Sequence, residues 1–344
     1  MLLTFKIKIP DHLVTSLENL YPMAKKCVDR MIENRDLKSS FYYKEIPCAL
    51  SKSLISKYQR NKKLKKVKNL VIPICGDKGR QVKIVENGIR VPSIFKKEII
   101  PITFPKPVVG FIRQVEFFKK KNIWFMSYSY STPVEKEIEI KGVIGVDRNS
   151  KENVVAVSNL KTGEVLRLGP DCSTISYQFR KKRAKLQKEK KYEALKKLSG
   201  KQKRRTKDIN HKVSRAVVNY ACNTSSAIVL EDLGEINKGK IKNKVQKSQW
   251  SFYQLLIFIK YKAVLAGIPV YSVNPAYTSK SCSRCGSINN VNGKRFKCAE
   301  CGHVDHRDSN AAFNIAYRGL KDLSLSNQKL SEGCIDATIN WSLT

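Results

Sequence analysis

Hydrophobic positions change their period along this chain, and each period predicts a different kind of element. From Leu3 to Ile9 apolar and polar residues alternate (LTFKIKI), the pattern of a half-buried strand, and Pro10 ends it. Asp11 then opens a helical pattern through Leu13, Leu17, Leu20 and Met23, continuing past Cys27 to Met31. The stretch Lys57 to Lys68 is basic. Beyond it, VKIVENGIRV, with a turn at Asn87–Gly88, and IIPITF predict short strands. VGFIRQVEFF and NIWFMSYSYS predict two more around a turn at Lys119–Lys121. Strand, helix and strands together predict a β-barrel or sandwich with a helical insertion over residues 1–140.

The character changes at Ile138. IKGVIGVD is a nearly continuous apolar run ending in an acid, which predicts a buried strand, and NVVAVSNLKTGEVLRL adds a hairpin with its turn at Thr162–Gly163. Tyr177 to Tyr220 is dominated by Lys and Arg, with Phe179, Leu186, Leu195 and Leu198 widely spaced. It predicts a long basic helix, or two helices broken near Ser199–Gly200. SAIVLEDL (226–233) is a second apolar strand ending in acids. SFYQLLIFIKYKAVLAG fits an amphipathic helix stopped by Gly267 and Pro269, IPVYSVNP a third strand, and NAAFNIAYRGL a further helix. The alternation predicts an α/β domain around one central sheet. Trp250, Phe252 and Tyr253 share helical spacing with Leu255, Leu256 and Phe258, which favours core packing over stacking on bases. Residues 321–344 carry no interpretable pattern, so a flexible end or a packed helix is the default.

Charge changes the picture more than composition does. Lys and Arg number 66 against 29 Asp and Glu, a net charge of +37. A lysine-rich thermostable surface would pair Lys with Glu, and this excess is one-sided. It implies a strongly anionic partner. Nucleic acid is favoured over a membrane, because no stretch approaches the ~20 apolar residues of a spanning helix and MLLTFKIKIP is no signal peptide. A cytoplasmic location follows as an expectation. Glu189, Glu193 and Asp208 are too few to neutralise the basic helices by internal pairing. Arg180, Lys181, Lys182, Arg183, Lys203, Arg204, Arg205 and Lys212 are therefore the candidate phosphate contacts, with Lys57 to Lys68 as a second basic wall.

Four of the ten cysteines crowd into two CxxC knuckles, Cys282–Cys285 and Cys298–Cys301, each followed by a glycine, Gly286 and Gly302. Four thiolates close a tetrahedral structural Zn²⁺ site and leave no open catalytic position. Two disulfides are the alternative, disfavoured in a reducing compartment. Cys27, Cys48, Cys75, Cys172, Cys222 and Cys334 are scattered singly, and Cys222, in an apolar run, reads as a small core residue. Three acids stand at the ends of apolar elements or at a helix start: Asp147 after VIGV, Glu231 after IVL, and Asp308 before SNAAFNI. Such carboxylates are what two Mg²⁺ ions ~4 Å apart require in phosphodiester hydrolysis. Each also has a structural explanation: Asp147 as a turn residue, Glu231 paired to Lys, Asp308 as an N-cap.

WSFYQLLIFIKYKAVLAGIPVYSVNPAYTSKSCSRCG, the second CxxC and DHRDSNAAFNIA resemble the C-terminal half of TnpB proteins, the OrfB nucleases of IS200/IS605-type transposons and relatives of Cas12 effectors. The order of parts is also similar: first acid, basic helices with His211–Lys212–Val213–Ser214, second acid, cysteine module, third acid. The match is close from about residue 140 to 318. The resemblance implies an RNase H-like RuvC nuclease domain over 141–318, interrupted by basic helices 177–220 and a zinc ribbon at 279–304. It implies a wedge-like barrel with a helical recognition insertion over 1–140, and a tail over 319–344. It further implies a guide RNA from the transposon end and Mg²⁺-dependent cleavage of double-stranded DNA beside a short adjacent motif. Asp147, Glu231 and Asp308 fall on the catalytic acids, with Asp308 rather than Asp305 at the D-x-N-A-A position; the four cysteines fall on the zinc ligands. Arg148–Asn149 departs from the family, which more often has a small or apolar residue and glycine there. A guide-dependent binding or accessory transposition protein without cleavage is the alternative from another class. A compact Cas12-type effector shares the chemistry, and no HUH-type histidine pair suggests a transposase proper.

Overall fold

The computed structural model describes residues 1–149, 152–232 and 246–325. It divides into two compact units, 1–133 and 134–344. The division falls before residue 140 because 134–140 is bound into the second unit. The Ile138 amide donates to the Gly267 carbonyl at 3.1 Å, and Ile140 packs with Val143 and Val273.

In the first unit, β1 (Leu2–Lys8) leads into α1 (Asp11–Glu33) and α2 (Cys48–Leu54). β2 (Val71–Cys75), β3 (Lys83–Val85), β4 (Gly88–Arg90), α3 (Pro92–Phe95) and β5 (Ile99–Pro101) follow, then the long hairpin β6 (Val109–Lys120) and β7 (Ile123–Ser131). Strand order β1-β7-β6-β2 makes one antiparallel sheet and β3-β4-β5 another. The larger sheet keeps β1 and β2 as edges, so the ladder is open rather than a closed barrel. Both sheets and α1 contribute to one core, from Leu13, Leu17 and Val28 to Val115, Trp124 and Ile100. Ala24 faces that core while Met23 is 46% exposed, a correction to the predicted apolar face. The β6–β7 turn is Lys121–Asn122, both at positive φ, as a two-residue turn matched to strand twist demands. Gly88 already pairs with Val85, so the preceding turn is Glu86–Asn87, one residue earlier than predicted.

The second unit begins with β8 (Gly142–Arg148), β9 (Val155–Asn159) and β10 (Val165–Leu168). Helices α4 (Cys172–Lys188), α5 (Tyr192–Leu198) and α6 (Lys201–Asn223) follow. The predicted break is present, with Gly200 at φ 73° before α6, and a second break at Lys190 (φ 52°) makes three helices rather than two. Then come β11 (Ser226–Glu231), α7 (Gln246–Leu265), β12 (Val270–Val273), the hairpin β13 (Arg295–Lys297) and β14 (Val304–His306), and α8 (Arg307–Leu325). The central sheet has the order β10-β9-β8-β11-β12. β8, β11 and β12 run parallel and β9 and β10 complete an antiparallel meander.

Both faces of this sheet are covered, which is why its strands read as continuous apolar runs. Ile144, Val146, Ile228 and Leu230 pack on α6 and α7 through Val217, Val218, Leu255 and Ile259. Val143, Ala227 and Val229 face Ile315, Ala316 and Leu320 of α8. A Cβ on Gly145 would lie 2.0 Å from the Ala312 carbonyl oxygen, so the absence of a side chain there lets α8 lie directly on β8. α8 extends to Leu325, into the region predicted as a tail; the rest of that tail, from residue 326, lies outside the described residues, as do the side chains of Trp250 and Phe252. Tyr253 is 54% exposed, against the core role predicted for it. Cys222 is likewise exposed, because Val217, Val218 and Ala221 are the positions of α6 turned toward the sheet.

Candidate active site and cysteine module

Parallel strands β8 and β11 are neighbours, pairing up to Val146 and Leu230. Their next residues, Asp147 and Glu231, therefore leave the same edge of the sheet side by side. Asp308 enters from the first turn of α8, buried to 4% exposure. The three acids are close enough to feel one another. Burial, then the charges of Glu231 and Asp308, push the Asp147 carboxyl up to about 7, against the pull of Asn149 and Lys294.

Each acid is held by specific partners. Asn149 Nδ2 donates to Asp147 Oδ2 at 3.0 Å. The buried Arg148 donates from Nη2 to the Glu231 main-chain carbonyl at 2.7 Å, tying the ends of β8 and β11 together. Arg148–Asn149, the departure from the family pattern, thus supports the acids on either side. Thr278 Oγ1 donates to Glu231 Oε1 at 2.5 Å. Lys294 Nζ lies 2.5 Å from Asp308 Oδ2. Asp305, the neighbouring acid, accepts from the His306 amide instead. Sequence reasoning missed Thr278 and Lys294, since nothing local marks either.

Among the described residues, two sets of ligand atoms close to within 4.8 Å: the four thiols, and Glu152–His306–Asp308. Asp147, Glu231 and Asp308 together do not.

The thiols fit zinc. Cys282 Sγ and Cys301 Sγ are 3.7 Å apart, and Cys285 Sγ and Cys298 Sγ 3.5 Å. A tetrahedron with bonds of ~2.3 Å has edges of ~3.8 Å. The amides of Arg284 and Cys301 point at Cys282 Sγ and Cys298 Sγ. Gly286 (φ 78°) and Gly302 (φ 69°) supply the left-handed turns that side chains resist. Asn310 of α8 accepts from the Ser283 amide and donates to the Ser281 carbonyl, which Asn314 also reaches, along with that of Thr278. Their four-residue spacing after Asp308 puts both on one face of α8, a signal the sequence carried. The cysteine module and Thr278, which holds Glu231, are thereby fixed to the helix that carries Asp308.

Of the candidate phosphate contacts, Arg180, Lys181, Lys182, Lys203, Arg204, Arg205 and Lys212 are exposed. Arg183 is half-buried and donates to Gln202, linking α4 to α6. Lys212 pairs with Asp208 at 3.0 Å. Within the His211–Ser214 element, the His211 ring stacks on Phe258, with centroids 3.9 Å apart. Its carbonyl and Ser214 Oγ accept from the buried Lys262, whose amine burial, then Arg215, lower to about 8. That element joins α6 to α7. In the first unit, Lys57 is taken by Glu116 at 2.5 Å. The Arg35 guanidinium orders the stretch beyond by donating to the carbonyls of Tyr58, Gln59, Asn61 and Leu64.

A TnpB-like protein of Methanocaldococcus jannaschii is 32% identical over 216 residues, spanning 58% of this chain and 77% of that protein. The chain belongs to the TnpB-like family. A family model described as "Cas12f1-like, TNB domain" matches residues 252–315, from α7 through the cysteine module into α8. The CRISPR-associated endodeoxyribonuclease Cas12f1 of Sulfoacidibacillus thermotolerans is 28% identical over 219 residues, 57% of this chain and 50% of that protein. The chain thus spans about half the length of that relative. A solved Cas12f1-sgRNA-target DNA complex aligns with 92% of this chain and 99% of that one, at 16% identity and a TM-score of 0.42. TnpB-like membership rests on the sequence relatives. Among the described residues no helix is long and apolar enough to cross a membrane.

Proposed function

We propose that this chain is a guide-RNA-directed, metal-dependent DNA endonuclease encoded by a transposon, with an RNase H-like RuvC nuclease unit and a wedge-like first unit. One observation carries the reading: Asp147 and Glu231 leave adjacent parallel strands at the same edge while Asp308 joins them from α8, and the charges of both act on Asp147. The names of the Cas12f relatives as endodeoxyribonucleases support it, as does the net charge of +37. Asp147, Glu231 and Asp308 would hold a pair of Mg²⁺ ions, which when bound supply an activated water and stabilise the leaving oxygen. Thr278 and Asn149 aim the carboxylates before any ion arrives, so little reorganisation is left for the reaction. Cys282, Cys285, Cys298 and Cys301 would hold a structural Zn²⁺. The exposed bases of α4 to α6 grip nucleic-acid backbone without reading sequence, which base pairing to a transposon-end RNA supplies; a short adjacent motif would be read on the DNA. A compact effector with a guide from another source shares this chemistry.

The contact of Lys294 with Asp308 favours a second reading, a guide-dependent binding or accessory protein without cleavage, because an amino group already neutralises that acid. RNA sequencing of the purified protein, followed by plasmid cleavage with Mg²⁺, separates the two. The nuclease reading expects a discrete bound RNA, cleavage of a matched plasmid, and an Asp147→Ala variant that keeps the RNA but loses cleavage. Bound RNA with no cleavage by the parent supports the second reading, and full activity in Asp147→Ala removes Asp147 from the mechanism.

A further inference from the structure

One row of residues runs across the central sheet at the edge where the acids stand. Arg167 of β10 pairs with Ala156 of β9, which pairs with Asp147 of β8. Glu231 follows the Leu230–Val146 pair and is itself paired with Val273 of β12. The acids therefore have a flank on either side, and each flank carries a side chain that the three-acid centre does not use.

On the β12 side stands Tyr277, four residues beyond the strand. It is 58% exposed and its φ is 62°, a left-handed conformation that a bulky residue adopts only where its surroundings impose it. Those surroundings are in place. The amides of Lys280 and Ser281 donate to the Tyr277 carbonyl at 3.0 and 2.8 Å. The next residue, Thr278, is fixed through its side chain to Glu231 and through its carbonyl to Asn314 of α8. The turn thus serves Thr278, and glycine or asparagine would make it with less strain. The turn itself calls for no ring. An exposed aromatic side chain, one residue from the group that holds an acid, offers a face on which a base can stack.

On the β10 side, Arg167 stands two strands from Asp147, roughly 10 Å at ~4.8 Å per strand. Direct pairing across both ladders puts their side chains on one face of the sheet. It is the face of α8: Arg167 Nη2 donates at 2.9 Å to Oγ of Ser309, the residue after Asp308. Arg167 is exposed. A neutral hydroxyl orients the guanidinium without neutralising it, so a planar cation suited to a phosphate faces the same edge.

We propose that Tyr277 stacks on a base of the strand to be cut, and that Arg167 holds a phosphate of the same strand on the far side of the acids. The strand then crosses the sheet edge between β12 and β10, unpaired at the stacked nucleotide, because a base held by a side chain has left its own stack. The inference rests on the nuclease reading of Asp147, Glu231 and Asp308, and names the side chains that receive the substrate there.

The test is photo-crosslinking of the full chain to single-stranded oligonucleotides carrying 5-iodouracil, which joins to aromatic side chains stacked on it. Mass spectrometry locates the joined peptide. A joint at Tyr277 is expected in the parent, retained at that position in Tyr277→Phe and lost in Tyr277→Ala. Tyr277→Gly is expected to melt at a higher temperature, because it relieves the strained φ, and yet to lose about 10-fold in kcat/KM for a matched target. A ring with a merely structural role would give a lower melting temperature. Arg167→Gln is expected to raise KM with little change in kcat, and to lower the salt slope of strand binding by about 0.7. No joint at Tyr277, or a Tyr277→Gly variant that cleaves as the parent does, overturns the stacking. An unchanged salt slope in Arg167→Gln overturns the phosphate contact. Plasmid cleavage measured alongside separates the two readings. A joint at Tyr277 in a chain that cuts no DNA removes the nuclease and leaves the strand contact; cleavage without that joint does the reverse.

Discussion

Asp147 carries a carboxyl whose charged form is opposed by burial and by two neighbouring acids. Its folded pKa of about 7 stands above the ordinary 3.8. The sign follows from linkage. Below about pH 4 the group is protonated in both folded and unfolded chains and costs nothing. Between pH 4 and 7 the unfolded chain ionises first, so metal-free stability falls and then levels off above about pH 7. Asp147→Asn removes this loss. Thermal melts of the metal-free protein should show the variant equal to the parent near pH 4 and more stable above pH 7. At about 1.4 kcal/mol per unit, less an allowance for partial solvent access, the gain is about 2–4 kcal/mol. Divalent ions should raise the parent's melting temperature at pH 8 and barely move that of the variant. A variant no more stable at pH 8 than its parent would mean the acids do not oppose one another in the fold. At this scale the sequence exposed the acids and the cysteines, because their residue types are specific to metals. It hid Thr278 and Lys294, because each acts on a partner remote along the chain.

At Gly145 helix α8 meets strand β8 with no side chain on the strand's side. Gly145 opposes Ala312 and Ala316, and Gly319 opposes Val229. Asp308 owes its position over the sheet edge to that close approach. Gly145→Ala would drive a methyl group against the Ala312 carbonyl and push α8 outward. A loss of about 1–3 kcal/mol is expected from such overpacking, read as a lower denaturant midpoint, together with reduced cleavage. Unchanged stability would mean that α8 is not seated on β8 in this way. Strands β8 and β11 were legible as elements because both their faces are buried, and α6 because its break carries a glycine. The open pairing of the first unit was not legible, since strand order depends on which edges meet and alternation reports only which face is covered. The exposed Cys222 and Met23 were misjudged for a related reason: residue type suggested burial, and the turn of the helix decided it.

Across the whole chain, a charge of +37 would make the proposed binding to nucleic acid depend steeply on salt. Each phosphate contact contributes about 0.7–0.9 to the slope of log K against log salt. Replacing the exposed Lys181, Lys182, Lys203 and Arg204 with Gln should lower the slope by about 3 while leaving the fold intact. A slope that does not move would place the nucleic acid elsewhere. The order of parts along the polypeptide has a consequence for synthesis. α8 follows β8, β11 and β12 along the chain, and it brings the third acid with it. A ribosome that stalls before Arg307 releases a product with at most two of the three carboxylates. One that stalls before Cys298 also leaves half the thiols unmade. Whatever the assembled acids do, they do it only after α8 has emerged.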